Sequence, residues 1–178
     1  HIPKTGYRVQ DAIDDYEQHR KINNSPASAK DAKQRLYKHA VPPLGDVRLS
    51  KLTMGSVNDW RDSLVRDSDD REDVRKSKDG ANRLLSCLKS ALNLAYKKDI
   101  IGTDRAWRRV EAFKDVGAVR KVLLNEAQVK RLKEKTSGGF HDLILRGLHT
   151  GARYGELATA KVRDFDPREG TIHLDGKT

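Results

Sequence analysis

Apolar side chains recur at helical spacing along most of the N-terminal half of the chain. Val9, Ile13 and Tyr16 share one face of a predicted first helix, which runs from about Val9 to Ile22. A second helix is predicted to begin at Ser28, whose hydroxyl can cap its first backbone amides. The apolar positions of this second helix are Ala29, Ala32, Leu36 and Ala40.

Two further helices are predicted after the paired prolines Pro42 and Pro43. Thr53 is expected to cap the third helix, in which Trp60 has the spacing of a core residue; the alternative for Trp60 is a platform for base stacking. The polar run from Asp67 to Asp73 predicts a solvated loop. The fourth helix is then expected from about Lys78 to Lys98, with a wide apolar stripe: Ala81, Leu84, Leu85, Leu88, Ala91, Leu92 and Ala95.

The periodicity fades after this helix and returns at Asn125. Residues 105–121 are therefore interpreted as an interdomain linker. Asn125 is expected to cap one helix, and another follows from Phe140. Short strands are predicted on either side of a turn, at Val162–Asp166 and Thr171–Leu174.

The composition favours an anionic partner. The 178 residues carry a formal net charge of +10, which fits nucleic acid better than a membrane surface. No apolar run approaches the roughly 18 residues that span a bilayer. The single cysteine, Cys87, excludes an internal disulfide, fits a reducing cytoplasm and is expected to be a small packing residue. The acidic run lacks the pattern of a calcium loop, so neither a metal nor a cofactor is predicted.

Cations outnumber acids on the fourth helix, where they mix with Asn and Ser. Such a face suits DNA, because cations bind phosphates and amides can read base edges; the alternative is an ordinary solvated face. The second helix offers a similar set, and two cations of the linker could meet phosphates. The DNA-binding candidates are Lys30, Lys33, Lys38, Lys76, Lys78, Asn82, Arg83, Lys89, Arg120 and Lys121.

Two cations near the C-terminal end are candidates for chemistry. Arg153 follows Gly151 at a predicted helix start, where a guanidinium can hold two oxygens of one phosphate. Asp175 and Gly176 form a hairpin-turn signal that would place Lys177 at a loop tip, as a point charge and possible proton donor. The alternative is that both are ordinary surface cations.

The string from Thr150 to Leu157, TGARYGEL, resembles the tyrosine recombinase, or phage integrase, signature T-G-x-R-x-x-E-L. Asp164-Phe165-Asp166 and then Gly176-Lys177 continue that resemblance. It implies that Arg153 binds the scissile phosphate, that Lys177 is the acid for the leaving 5′-hydroxyl, and that Glu156 supports the site. The order of the four helices resembles the core-binding domain of the same family.

The resemblance implies a mostly α protein. A four-helix, SAM-like core-binding domain is expected over residues 1–104, the linker over 105–121, and the first part of an α+β catalytic domain over 122–178. The family's His-x-x-Arg motif, its further His or Trp and its tyrosine nucleophile lie after the lysine, so the chain is expected to be an inactive, monomeric fragment. The full-length parent would be a cytoplasmic, nucleoid-associated recombinase that acts as a tetramer on double-stranded DNA.

Two other functions fit the residues. One is a non-catalytic DNA-binding protein that keeps the integrase fold. The other is a basic helical scaffold that binds RNA or acidic proteins.

Overall fold

A computed structural model describes residues 6–117 and 123–174. The chain divides into two compact units, His1–Ala118 and Val119–Thr178. The described residues are mostly helical and include a small two-stranded antiparallel sheet, so the predicted coarse fold class is confirmed.

The first unit is a helical bundle around one core. Its two longest elements, α1 and α5, pack against each other and against α2, while α4 and α6 close one side. The helices in chain order are α1 (Val9–Asn23), α2 (Pro26–His39), α3 (Val41–Leu44), α4 (Met54–Ser63), α5 (Arg71–Lys97) and α6 (Arg105–Arg108).

Helix α2 begins earlier than its apolar stripe predicts. Ser25, rather than Ser28, is the N-cap, and its Oγ accepts a hydrogen bond from the Ser28 amide at 3.2 Å. Pro26 occupies the first turn, where its fixed φ suits the helix and its missing N–H costs nothing. Ser25 and Pro26, which lie between the first two predicted helices, therefore start α2.

Helix α5 also begins earlier, at Arg71 rather than near Lys78. Asp70 Oδ1 accepts the Glu72 amide at 2.8 Å, so the second half of the predicted loop is a cap and a first helical turn. The acidic residues there favour this end of the helix, because they face its positive pole.

The core of the first unit contains both tryptophans. Trp60 is buried and its Nε1 donates to the backbone oxygen of His39 at 2.7 Å, so it is a core residue and not a base-stacking platform. Trp107 of α6 is 1% exposed, and its Nε1 donates to Asn93 Oδ1 at 2.6 Å. The rest of the buried cluster is Val9, Ala12, Ile13, Leu36, Ala40, Leu44, Leu49, Leu52, Val57, Leu85, Leu88, Ala91, Leu92, Ala95 and Val110.

The predicted linker is described as far as Gly117, and this part packs on the first unit. After α6, residues 109–117 run without regular structure over α4 and α5; we call this segment the strap. Val110 and Val116 are buried within it. The strap therefore adds to the core that the helices build.

An ion-pair network joins α1 to α2 around Glu17, the one buried charged residue in the part of the chain that the structure describes. Lys33 Nζ lies 2.8 Å from Glu17 Oε2 and 2.9 Å from Asp14 Oδ1, and Lys21 Nζ lies 3.0 Å from Glu17 Oε1. The hydrogen bonds from Lys33 and then Lys21 lower the pKa of Glu17 below its usual value of 4.5.

Glu17→Gln is expected to lower the free energy of unfolding at neutral pH. Because the folded-state pKa of Glu17 is depressed, its contribution is fully present above pH 4.5 and is lost as the pH falls through the folded pKa. Urea unfolding of the wild-type and Glu17→Gln proteins at decreasing pH should show the gap between their free energies of unfolding closing. Glu111→Gln, at an exposed position, is the matched control. A gap that stays constant down to acid pH would contradict the role given to Glu17.

The second unit consists of three helices and a hairpin in its described residues: α7 (Glu126–Glu134), α8 (Gly138–Thr150), α9 (Tyr154–Thr159), β1 (Phe165–Asp166) and β2 (Thr171–Ile172). As predicted, Asn125 caps α7, accepting the Gln128 amide at 2.9 Å. Phe165 pairs with Ile172 and Asp166 with Thr171. The first predicted strand is shorter than expected, because Val162–Asp164 forms a 3₁₀ turn.

Very little of the second unit is buried. Within residues 123–174, Leu157 is the buried apolar side chain. Both α7 and α8 are amphipathic, yet neither buries an apolar residue. Large apolar side chains that are exposed in this unit are Leu123, Leu124, Phe140, Leu148, Tyr154, Val162 and Phe165.

Candidate active site and nucleic-acid interface

A tight turn between α8 and α9 positions Arg153. Helix α8 ends at Gly151, whose φ of +67° is in the left-handed region that favours glycine, and whose amide donates to the Gly147 oxygen at 2.9 Å. Thr150 Oγ1 accepts the Ala152 amide at 3.2 Å and so fixes the next peptide. Arg153 is then the N-cap of α9, as its place at a predicted helix start required.

Glu156 holds Arg153 by both its backbone and its side chain. Glu156 Oε2 accepts the Arg153 amide at 2.9 Å, and Oε1 accepts its Nη1 at 3.0 Å. The bond from the amide, and then that from the guanidinium, hold the pKa of Glu156 below its usual value. Glu156 therefore stays a carboxylate that can orient the guanidinium at neutral pH.

The Arg153 guanidinium is nevertheless open to solvent. Its side chain is 82% exposed, whereas that of Glu156 is 16% exposed. The buried neighbour Leu157 anchors the same helix from the other side. An anchored backbone with an exposed guanidinium can bind a phosphate oxygen pair without first ordering the chain.

A cleft of about 460 Å³ lies beside Glu156, between α9 and the hairpin. Lys161, Arg163 and His173 line it, and the His173 amide donates to the Asp164 oxygen at 2.8 Å. The sequence interpretation did not select these residues, because none belongs to the T-G-x-R-x-x-E-L motif. In the sequence, Arg163 and His173 lie within the two predicted strands, and Lys161 directly precedes the first strand.

Lys177, the second predicted catalytic cation, lies outside the described residues, as do Arg120 and Lys121 of the predicted DNA-binding set. That Lys177 and Arg153 act on the same phosphate therefore stays a prediction.

The lysines of α2 have different surroundings. Lys30 and Lys38 are exposed. Lys33 is engaged by Asp14 and Glu17, and the hydrogen bonds to Glu17 and then Asp14 raise its pKa above the usual lysine value. Binding a DNA phosphate at Lys33 would therefore compete with an existing network.

Two predicted DNA contacts on α5 hold the strap. Asn82 Nδ2 donates to the Phe113 oxygen at 2.9 Å, and Asn82 Oδ1 accepts the Phe113 amide at 2.8 Å. Lys89 Nζ donates to the Val110 oxygen at 2.8 Å, and desolvation lowers the pKa of this lysine. In this arrangement their polar atoms are directed at the protein's own backbone.

Neighbouring cations on α4 and α5 complete the strap's attachment. Arg61 donates to the Glu111 oxygen and Arg75 to the Val116 oxygen. The Arg61 guanidinium and Lys78 ammonium lie 4.6 Å and 5.7 Å from the Phe113 ring centroid. The excess of cations on α5 thus has a structural use on this side of the helix, which sequence reasoning missed.

Two further predicted contacts on α5, Lys76 and Arg83, are exposed. Lys76 Nζ lies 3.7 Å from Glu72 Oε1, and Arg83 pairs with Asp79 at 2.7 Å one turn earlier. Arg83 also lines a cleft bounded by α1, α2 and α5, which contains Arg20 and Arg35. Neither arginine was selected from the sequence, although Asp31 and Arg35 have the i, i+4 spacing of a helical ion pair.

No group of three or more metal-ligating side chains is found in residues 6–117 and 123–174. Over the same residues, none of the helices combines the length and the apolar character that crossing a bilayer requires.

In comparisons with protein-family models, with curated proteins and with solved structures, none matches this chain.

Proposed function

We propose that the chain is part of a tyrosine recombinase, the integrase of a phage or mobile element, that breaks and rejoins double-stranded DNA. The observation that carries the proposal is Arg153. The T-G-x-R-x-x-E-L string folds into a turn in which Gly151 and Glu156 fix the arginine backbone and leave the guanidinium exposed. A guanidinium that is exposed on a fixed backbone can bind a phosphate, and this supports the proposal.

The first unit is proposed to be the SAM-like core-binding domain. Its support is the bundle of α1, α2, α4 and α5, whose order agrees with the family pattern. The net charge of +10 fits a duplex partner.

In the proposed reaction, a tyrosine located after Lys177 in the full-length protein attacks a phosphodiester as its phenolate. A 3′-phosphotyrosyl link forms, the 5′-oxygen leaves, and Lys177 donates the proton that makes it a hydroxyl. A 5′-hydroxyl of another strand later reverses the step. Negative charge builds on the phosphorus, and Arg153 stabilises it without a metal. Glu156 orients Arg153.

The test is covalent adduct formation by the full-length protein on a nicked duplex that traps the intermediate. The wild-type protein should become linked to the 3′ end of the cleaved strand. Lys177→Ala should slow this step on an ordinary duplex and recover on a duplex with a 5′-thiol leaving group, which needs no proton.

Two results would oppose the proposal. A full-length sequence without a tyrosine after Lys177, or a wild-type protein that binds duplex DNA and never forms the adduct, would favour the non-catalytic DNA-binding protein. If the wild-type protein forms the adduct but the 5′-thiol duplex does not rescue the slower Lys177→Ala protein, only the acid role of Lys177 is wrong.

A further inference from the structure

A polar cleft of about 280 Å³ opens between α1, α2 and α5 on the first unit. Its walls carry the guanidinium groups of Arg20, Arg35 and Arg83, together with the hydroxyls of Ser86 and Ser90. Asp31 is the acidic residue of the wall. The cleft is therefore cationic and rich in hydrogen-bond donors, which is the chemistry that phosphate groups require.

Arg20 is the fixed member of the cleft. Its Nη1 donates to the Tyr16 hydroxyl at 3.0 Å, its Nη2 donates to Ser28 Oγ, and the guanidinium lies 5.5 Å from the Tyr16 ring centroid. Within the described residues, its Nε is the buried side-chain nitrogen or oxygen that lacks a hydrogen-bond partner. Among residues 6–117 and 123–174, no carboxylate forms an ion pair with Arg20, so its charge adds to the positive potential of the cleft.

Arg35 and Arg83 are the exposed members of the cleft, on the packed helices α2 and α5. Each is paired with an aspartate one turn earlier, Arg35 with Asp31 at 2.9 Å and Arg83 with Asp79 at 2.7 Å. The arginine side chains are 56% and 71% exposed, respectively. Arg35 contacts Asp31 through both its Nε and its Nη2. Because both ion pairs are exposed to solvent, they are weak, and either guanidinium can exchange its aspartate for a phosphate.

The strap occupies one side of α5 and so limits where a ligand can bind this helix. On one side, Asn82 and Lys89 are bonded to strap backbone. Arg83, Ser86 and Ser90 line the open cleft instead. Ser90 Oγ already donates to the Ser86 backbone oxygen at 2.8 Å, so Arg83 is the charged donor that α5 presents to the cleft.

We propose that the cleft between α1, α2 and α5 is a phosphate-binding site for the backbone of duplex DNA, with Arg35 and Arg83 binding the phosphates and Arg20 supplying fixed positive charge behind them. That the phosphates belong to DNA rests on the proposed function. The proposal moves the principal DNA contact of α5 away from Asn82 and Lys89.

Cys87 provides a native reporter for this site. It is the single cysteine of the chain, it is half-buried, and it lies in the wall of the cleft. Burial raises the pKa of its thiol, so alkylation is measured at alkaline pH. A saturating random-sequence duplex of about 30 base pairs should slow alkylation of Cys87 at least about tenfold, at a salt concentration where the phosphate contacts persist.

The matched variants change charge without changing the core. Arg35→Gln with Arg83→Gln should reduce the slope of log affinity against log salt by about 2 and abolish the protection of Cys87. The control pair, Arg8→Gln with Arg66→Gln, removes two equally exposed, ion-paired arginines outside the cleft and should keep the protection. The control pair also removes two positive charges. Its effect on the slope of log affinity against log salt therefore measures how much of the change comes from lost charge in general.

The outcomes separate the two proposals. Suppose that the full-length protein forms the covalent adduct, but Cys87 is alkylated at the same rate with and without bound duplex. The phosphate-site proposal is then overturned, and the recombinase proposal stands. Protection of Cys87 by duplex RNA and not by duplex DNA overturns the assignment to DNA. If both double variants reduce the slope of log affinity against log salt equally, the special role of Arg35 and Arg83 is overturned. A chain that binds no duplex overturns both proposals.

Discussion

Replacing Arg153 with alanine should lower the rate of covalent adduct formation by the full-length protein by about 10²–10³. The reason is electrostatic, because in the proposed reaction the Arg153 guanidinium, which Glu156 holds in place, stabilises the charge that develops on the phosphate. Duplex affinity should change little, since one phosphate contact among many is lost. Single-turnover cleavage of the nicked duplex measures the first quantity, and salt-titrated binding measures the second.

Two variants sharpen this expectation. Arg153→Lys keeps the charge but cannot hold two oxygens at once, so it should restore only a small part of the rate. Arg131→Ala removes another exposed arginine of the second unit, on α7, and should leave the rate near the wild-type value. An Arg153→Ala protein that cleaves at a near-normal rate would refute the assignment of Arg153 to the scissile phosphate.

Replacing Trp107 with alanine should lower the free energy of unfolding of the first unit by about 3–5 kcal/mol, the usual range for removing a buried aromatic side chain. Trp107 is 1% exposed and is the largest fully buried side chain of the described residues. The substitution leaves a cavity where α6 packs against α4 and α5, and it removes the bond to Asn93. Chemical unfolding followed by far-UV circular dichroism measures the loss.

The strap should also become easier to cut in the Trp107→Ala protein, because its attachment starts at α6. Limited proteolysis between residues 109 and 117 would detect this. Tyr96→Ala, which removes an aromatic side chain from an exposed position of α5, should cost far less. Equal losses for the two variants would show that residues 105–117 are not part of the folded unit.

The apolar stripes of the helices could be predicted because each is a local property of the sequence. Val9 and Ile13 on α1, and Leu88 and Leu92 on α5, are buried as their spacing requires. The starts of α2 and α5 were placed less well. The caps of these helices, Ser25 and Asp70, lie before the apolar stripe and act through side-chain hydrogen bonds to backbone amides. A stripe indicates where a helix packs and does not indicate where it begins.

The partners of Asn82 and Lys89 could not be predicted, because they lie in a segment without periodicity. Residues 109–117 have no regular backbone hydrogen bonding, so side chains of α4 and α5 satisfy their carbonyl groups. From the sequence alone, a polar residue on an outer helix face is equally suited to water, DNA or such a segment. Only the path of the strap distinguishes these partners.

The candidate active site was predictable to the extent that it is one continuous motif. The turn at Gly151, the cap position of Arg153 and its contact with Glu156 all follow from residues close in sequence. By contrast, Arg20, Arg35 and Arg83 come together from three helices. Each is unremarkable by itself, so the cleft emerges only when the helices pack.

The near absence of buried apolar side chains in the second unit affects how variants of this chain are to be interpreted. With Leu157 as the buried apolar residue of residues 123–174, hydrophobic burial there offsets little of the conformational entropy of folding. The cooperative melting transition of the chain will therefore report on the helical bundle. An unaltered melting temperature in an Arg153 or Glu156 variant will carry no information about whether their turn has kept its shape; resonances of the residues in that turn would supply it.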